Sequence, residues 1–265
     1  MSDRGDGFDV RSLAATFRSG TELREHLHSW GQLVFAASGV MLVEASDAVW
    51  LVPPTRAIWM PEGEPHAILM KTDVAMRTLY LDRNRSAFLP LRPCVLEVRP
   101  LLRELVLHIV ATGLLDPTQL HHDRMAGLLV DLILSARRED LCLPLPQDPR
   151  ALRLTKHWQS NPGDRRHARD LAKTTGASLR TLQRIFPDET GLTVEAWRQK
   201  ARLLDAIGKL EAGQSVTNVS SDCGYLSTAA FNTAFRRLFG QSPRRYVVST
   251  PIDNRNPSPD NRRRR

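Results

Sequence analysis

Between Gln32 and Asp82 the apolar residues come in short runs rather than at helical spacing: QLVFAAS, VMLVEA, AVWLVP, AIWMP, HAILM and AMRTLYLD. Gly39, Ser46-Asp47, Pro53-Pro54 and Gly63 separate them. Short runs rich in β-branched and aromatic side chains, punctuated by turn formers, predict a small sandwich or barrel. At Pro100 the period changes. Leu101, Leu102, Leu105 and Ile109, then Met125, Leu128, Leu129, Leu132 and Ile133, recur at three and four residues and predict two amphipathic helices, separated near Gly113 and Pro117. Their stripes suit either a homodimer contact or the flank of the same chain's barrel. Leu143–Pro149 carries three prolines and cannot continue a helix.

Beyond that segment the chain repeats itself. Leu171-Ala-Lys-Thr-Thr-Gly176 returns in character as Val219-Ser-Ser-Asp-Cys-Gly224, and Ser178, Leu182 and Phe186 correspond to Ser227, Phe231 and Phe235. Each copy reads as a short helix, a glycine turn, a serine N-cap and a second helix, the helix-turn-helix pattern. Between the copies, Trp197, Ala201, Leu204 and Ile207 place a helix over 193–210. Eighteen residues span roughly 27 Å, enough to hold two reading helices near the ~34 Å of one DNA turn.

Charge sharpens this picture. The 265 residues carry a net +8, but residues 1–148 hold 15 Lys+Arg against 19 Asp+Glu, whereas residues 149–265 hold 22 against 10. The basic excess thus belongs to the repeat, as expected of a nucleic-acid binder. In the first copy, Leu179, Leu182, Ile185 and Phe186 form the buried stripe, which turns Arg180, Thr181, Gln183 and Arg184 outward as candidate base contacts. In the second, Phe231, Ala234, Phe235 and Leu238 face inward. The outward Thr228, Ala229, Asn232 and Thr233 are short, so that helix is expected to contribute less base reading. Lys200, Arg236, Arg237, Arg244 and Arg245 are phosphate candidates.

Gly224-Tyr-Leu-Ser227, Phe231, Phe235-Arg-Arg237, Gly240-Gln-Ser-Pro243 and Tyr246 resemble the C-terminal signature of the AraC/XylS-type transcriptional regulators. Leu171-Ala172, Gly176, Ser178, Leu182-Gln-Arg184, Phe186 and Gly191 resemble that family's first helix-turn-helix. The likeness covers about 100 residues. It departs at Ser220, where the family usually has alanine, and at Thr233, where arginine is common.

In the N-terminal half, His26-Leu-His28 followed by Gln32, and Pro61-Glu-Gly63-Glu-Pro-His66, resemble the two cupin motifs, whose histidines and acidic residue bind one metal. Gln32 stands where that family usually has glutamate. Two histidines two apart on a strand point to one face, and three suit Zn, Ni, Cu or Fe. Two readings stay open: a metal held by His26, His28, Gln32 and His66, or a metal-free effector pocket lined by them. The HxHxxxQ, PxGxxH arrangement resembles the subgroup that controls neighbouring exporter genes, often as repressors.

The expected fold is α+β: a cupin-like β-barrel sensor over 1–95, a helical connector or dimerisation region over 96–142, a Pro-rich linker over 143–149, an all-α double helix-turn-helix domain over 150–249 and a disordered basic tail over 250–265. The expected function is sequence-specific binding of double-stranded DNA by an effector- or metal-responsive regulator, a homodimer able to contact RNA polymerase. The alternative is a cupin dioxygenase or isomerase fused to a DNA-binding module. No phosphate loop, nucleophile elbow or paired-carboxylate site is present in the sequence, so no enzyme is expected. The sequence lacks an apolar span or secretion signal, which implies a cytoplasmic protein that does not engage membranes. Cys94, Cys142 and Cys223 have no metal or disulfide spacing.

Overall fold

The computed structural model describes residues 7–248. The expected tail over 250–265 lies outside them. Strands β1 (Val10–Phe17), β2 (Glu22–His26), β3 (Gly31–Ser38), β4 (Met41–Ala45), β5 (Ala48–Val52), β6 (Arg56–Met60), β7 (His66–Met70) and β8 (Val74–Leu81) come first. A short α1 (Arg83–Ser86), β9 (Cys94–Glu97), α2 (Pro100–Thr112), β10 (Leu114–Leu115), α3 (Leu120–Ser135), β11 (Arg138–Glu139) and β12 (Cys142–Pro144) follow. The rest is helical: α4 (Pro149–Ser160), α5 (Ala168–Thr174), α6 (Leu179–Thr190), α7 (Val194–Glu211), α8 (Val216–Asp222), α9 (Thr228–Phe239) and α10 (Pro243–Val248).

All strand pairing is antiparallel, in two sheets ordered β10-β1-β8-β3-β6-β9-β11 and β12-β5-β4-β7-β2. Among the described residues no pairing joins the two sheets, so the expected barrel is a two-sheet sandwich. Alternation along the strands builds its layers. Val34, Ile58, Met60 and Met76 of the larger sheet meet Met41, Val43, Ile68 and Met70 of the smaller one in the interior. The opposite side chains of the larger sheet, Leu33, Phe35, Ala57, Trp59 and Leu79, are covered by Leu102, Leu105, Val106 and Ile109 of α2 and by Ala126, Leu129 and Ile133 of α3. The stripes of α2 and α3 are therefore used within this chain.

The helical part lies against the other side. Leu42, Val49, Leu51 and Leu143 on the outer face of the smaller sheet meet Trp158 of α4 and Ala201 and Leu204 of α7. Part of the Pro-rich 143–149 segment is thus sheet rather than free linker: Leu143 pairs with Val49 and Pro144 with Ala48. The Pro144 carbonyl also accepts from Trp197 Nε1 at 2.6 Å. One apolar core runs from the sandwich interior into the helices.

The repeat folds by matching rules. Ser178 Oγ accepts from Thr181 N at 3.1 Å and Ser227 Oγ from Ala230 N at 3.2 Å, the N-caps of α6 and α9. Gly176 and Gly224 both take φ +76°, the left-handed turn that a side chain would resist. Trp158, Phe186 and Trp197 centre the first unit, and Phe231, Phe235, Phe239 and Tyr246 the second. Two expectations need adjustment. Leu238 is 38% exposed and Phe239 takes its inward place. Leu179 is only half-buried.

Candidate nucleic-acid interface and sensor site

On α6, Leu182, Ile185 and Phe186 are buried, while Arg180, Gln183 and Arg184 are exposed and Thr181 is half-buried behind the Ser178 cap. Residues three and four apart share a helix face, so the two arginines and the glutamine form one outward donor surface. A guanidinium there reaches guanine O6 and N7, and an amide reaches adenine N6 and N7. On α9 the outward set is weaker. Ala229 offers a methyl group and the Thr233 hydroxyl donates to its own helix at Ala229 O, 3.0 Å away. Thr228 and Asn232 line a cleft with Arg236, Arg244 and Ser215. Arg236, Arg237, Arg244 and Arg245 are exposed.

Lys200 is a correction. It is 9% exposed, and its Nζ lies 2.7 Å from Asp140 Oδ2, so the ammonium ties α7 to the sandwich and does not face DNA. Its position at the i+3 step from Trp197 already places it on the covered face.

At one mouth of the sandwich, between the sheets, the imidazoles of His26, His28 and His66 converge, with ligand-capable nitrogens within 4.8 Å of one another. His26 pairs with His66 across β2 and β7 of the smaller sheet, and Gln32 with Tyr80 across β3 and β8 of the larger one. The expectation that His26 and His28 share a strand is corrected: β2 ends at His26, and His28 lies in the following loop, anchored by Gly63 N donating to its carbonyl at 2.8 Å. The rings still meet, with centroids 4.9 Å apart for His26 and His28, 4.4 Å for His26 and His66, and 5.5 Å for His28 and His66.

Hydrogen bonds fix what these groups present. His26 Nδ1 lies 2.7 Å from Arg24 O and His66 Nδ1 2.9 Å from Glu64 O. A carbonyl only accepts, so Nδ1 carries the proton in both and Nε2 offers a lone pair. Gln32 Nε2 donates to Thr78 Oγ1 at 3.1 Å, and Thr78 donates on to Leu33 O, which orients the amide. Three buried polar atoms then have no partner: His28 Nε2, His66 Nε2 and Gln32 Oε1. Burial, reinforced by the neighbouring imidazoles, pushes His28 down to about 4, and burial also lowers His66. Neutral imidazoles are the form that ligates metals. Thr78, which orients Gln32, and Tyr80, whose ring centroid is 5.0 Å from that of His28, complete the site. In the sequence both look like interior strand residues, and only their two-residue alternation hints at a shared wall.

A second group was not legible as a unit. Arg56, 7% exposed at the start of β6, donates to both Glu139 oxygens at 2.8 Å, and its guanidinium lies 5.3 Å from the Tyr246 ring centroid. The Tyr246 hydroxyl donates to Glu139 at 3.3 Å, and Glu211 at the end of α7 accepts from Thr55 at 3.5 Å. These residues, 190 positions apart at the extremes, join sandwich to helices.

Residues 171–248 match the family model of a helix-turn-helix domain. The HTH-type transcriptional regulator NimR of Escherichia coli K12 is 29% identical over 238 residues, which cover 89% of this chain and 87% of NimR. The HTH-type transcriptional activator RhaS of Escherichia coli SE11 is 33% identical over 119 residues, 44% of this chain and 43% of RhaS, so the match spans less than half of that relative. Among solved structures, the DNA-binding domain of AdpA in complex with a target DNA is 31% identical, with a TM-score of 0.36, and matches 39% of this chain and 93% of that one. No helix among the described residues is long and apolar enough to cross a membrane.

Proposed function

We propose that the chain is a DNA-binding transcriptional regulator of the AraC type, supported by its matched helix-turn-helix domain and its likeness to NimR and RhaS, and that it couples a transition-metal site between its sheets to sequence-specific reading of duplex DNA by α6. The observation that carries the sensor half is the convergence of His26, His28 and His66, in which His28 Nε2 and His66 Nε2 are buried without a partner. An unmade bond on a buried polar atom costs about 1–3 kcal/mol, so two in one imidazole cluster favour a ligand that accepts lone pairs. Three imidazoles and an amide oxygen suit Zn, Ni, Cu or Fe. A bound ion would supply a charge-bearing link between the sheets, with Gln32 from one and His26 and His66 from the other. A metal-free pocket for a small effector is the second reading; the fixed tautomers of His26 and His66 favour the metal.

The route to the reader runs along β6. Met60 pairs with Gln32 at the metal end and Arg56 binds Glu139 and Tyr246 at the other, four residues or about 13 Å away. All five residues of β6 are buried. The reading as a regulator is preferred to a metalloenzyme because the likeness to NimR, a regulator, runs through both parts of the chain.

The remainder of the reading is finer still. The HxHxxxQ and PxGxxH arrangement supports control of a neighbouring exporter-type gene, by repression. The exposed Leu101, Leu120, Leu128 and Leu134 on α2 and α3 support a homodimer. Contact with RNA polymerase is part of the same proposal, as is a cytoplasmic location. The experiment is a gel-shift titration on DNA from immediately upstream of the protein's own gene, against excess random competitor, with zinc or nickel and with a chelator. A band that survives competitor and changes with chelator supports both halves. A band indifferent to metal removes the sensor assignment, and no band removes the local target.

A further inference from the structure

The loop between α4 and α5, residues 161–167, belongs to the first helix-turn-helix unit but is locked to the second. Arg202 Nε donates to Pro162 O at 3.0 Å, Arg198 Nη1 to Arg166 O at 2.8 Å, and both arginines donate to Asp164 O. The Asp164 carboxylate in turn holds Arg166 at 2.6 Å and His157 at 2.7 Å. Two glycines close the joint. A Cβ on Gly163 would overlap the carbonyl oxygen of Asp222, and one on Gly224 would come within 2.9 Å of Gly163 O. The loop is thus a fixed bridge between the units.

This bridge forms one wall of a cleft of about 460 Å³, whose other wall includes Tyr225, Leu226 and Ala230 at the start of α9. In a helix-turn-helix the first helix crosses the phosphate backbone and the start of the second meets base edges. By that docking geometry, a cleft bounded by the N-terminal end of α5 and the N-terminal turn of α9 would open toward DNA, between two successive major grooves. Its charge is positive. Arg165, Arg166, Arg198 and Arg202 line it, with Glu195 as the one acidic group. Arg198 and Arg202 are committed to loop carbonyls and Arg166 to Asp164. Arg165 is exposed, has no ion pair among the described residues, and repels the like-charged Arg202.

We propose that this cleft seats the DNA sugar-phosphate backbone between the two grooves, with Arg165 as the phosphate ligand and the locked loop as its mount. The inference rests on DNA binding by this domain, but on neither the metal site nor any particular operator. It assigns a positioning role to residues outside both recognition helices. It also accounts for the glycine pair, because a bridge that must present one cation at a set point between two readers cannot flex.

The test uses the full chain and a 30-base-pair random-sequence duplex, with affinity measured by fluorescence anisotropy from 50 to 200 mM KCl. One phosphate contact contributes about 0.9 to the slope of log K against log salt. Arg165→Ala should therefore lose about 3.5-fold less affinity than the wild type across that fourfold range. Arg92→Ala, which removes an exposed cation from the sensor, should keep the wild-type slope. On a duplex selected by the protein from a random pool, Arg165→Ala should keep the wild-type preference over random DNA while Arg184→Ala loses it. An unchanged slope for Arg165→Ala overturns the assignment, and so does a lost preference at unchanged slope, which would make Arg165 a base reader. If the wild type binds no duplex, the DNA-binding premise falls and this placement falls with it.

Discussion

Glu211 ends α7 against the sandwich, and its replacement by glutamine should raise stability at neutral and alkaline pH. The side chain is 7% exposed, Oε1 has only a long 3.5 Å bond from Thr55, and Oε2 has no partner. The neighbouring cation, Arg56, spends its N–H groups on Glu139 and the Thr55 carbonyl. Burial, partly opposed by Arg56 and Thr55, pushes the Glu211 carboxyl from 4.5 up to about 7. The folded chain therefore holds a proton that the unfolded chain releases between pH 4.5 and 7, and stability falls as pH rises through that window. At ~1.4 kcal/mol per pH unit the full loss is ~3 kcal/mol above pH 7. Glu211→Gln removes the titration and keeps the shape. Variant and wild type should differ by less than ~1 kcal/mol at pH 5 and by ~3 kcal/mol at pH 8. With ~2–4 °C of midpoint per kcal/mol at this size, thermal unfolding followed by circular dichroism at pH 5, 6, 7 and 8 resolves the divergence. His28 and His66, both lowered, act in the opposite sense, costing stability as pH falls below 6.5, but they cancel in the difference between the two proteins. A difference constant with pH, or a glutamine variant less stable at pH 8, would refute the reasoning.

Three further outcomes are expected. Equilibrium dialysis against zinc or nickel should show stoichiometric uptake that His66→Ala abolishes, and Gln32→Glu should tighten uptake by placing a carboxylate on the ion; no uptake by the wild type would remove the metal reading. Arg184→Ala should reduce the preference for a selected duplex over random DNA by ~1–3 kcal/mol, about 5- to 150-fold; equal losses on both would make Arg184 a phosphate contact. Lys200→Ala should leave the salt slope of DNA binding unchanged, because its ammonium is held by Asp140; a shallower slope would return it to the DNA face.

The strands from β3 to β8 and the helices of the repeat are readable in the sequence because each obeys a local rule. The run 32–38 becomes β3, and the spacing of Trp197, Ala201, Leu204 and Ile207 becomes α7. Ser178 and Ser227 cap where their hydroxyls predict. Strands β1 and β2 carry mixed runs, VRSLAATF and ELREH, whose apolar content is too low to separate from loop. They are strands because β8 and β7 pair with them, a cause outside the segment. The candidate site divides the same way. Its histidines and Gln32 are legible through the resemblance to the cupin motifs, whereas Thr78 enters only through the register that sets it opposite Val34 and within reach of the Gln32 amide. Arg56, Glu139, Glu211 and Tyr246 meet only when the two parts of the chain dock. Lys200 reads as a phosphate contact by its charge, whereas its i+3 step from the buried Trp197 sets it on the covered face of α7.

Helix α7 lies at once inside the reader and against the sandwich, touching it through Trp197, Lys200, Gly208 and Glu211. That arrangement makes it a lever with gearing. Over its roughly 27 Å length, a tilt of about 5° about one end carries the other end through about 2.4 Å, more than enough to break a hydrogen bond. Because the 161–167 bridge fixes the two units to each other, such a tilt would re-aim both reading helices together relative to the sandwich. On the proposed function, a signal at the sandwich would be expressed as a change of aim.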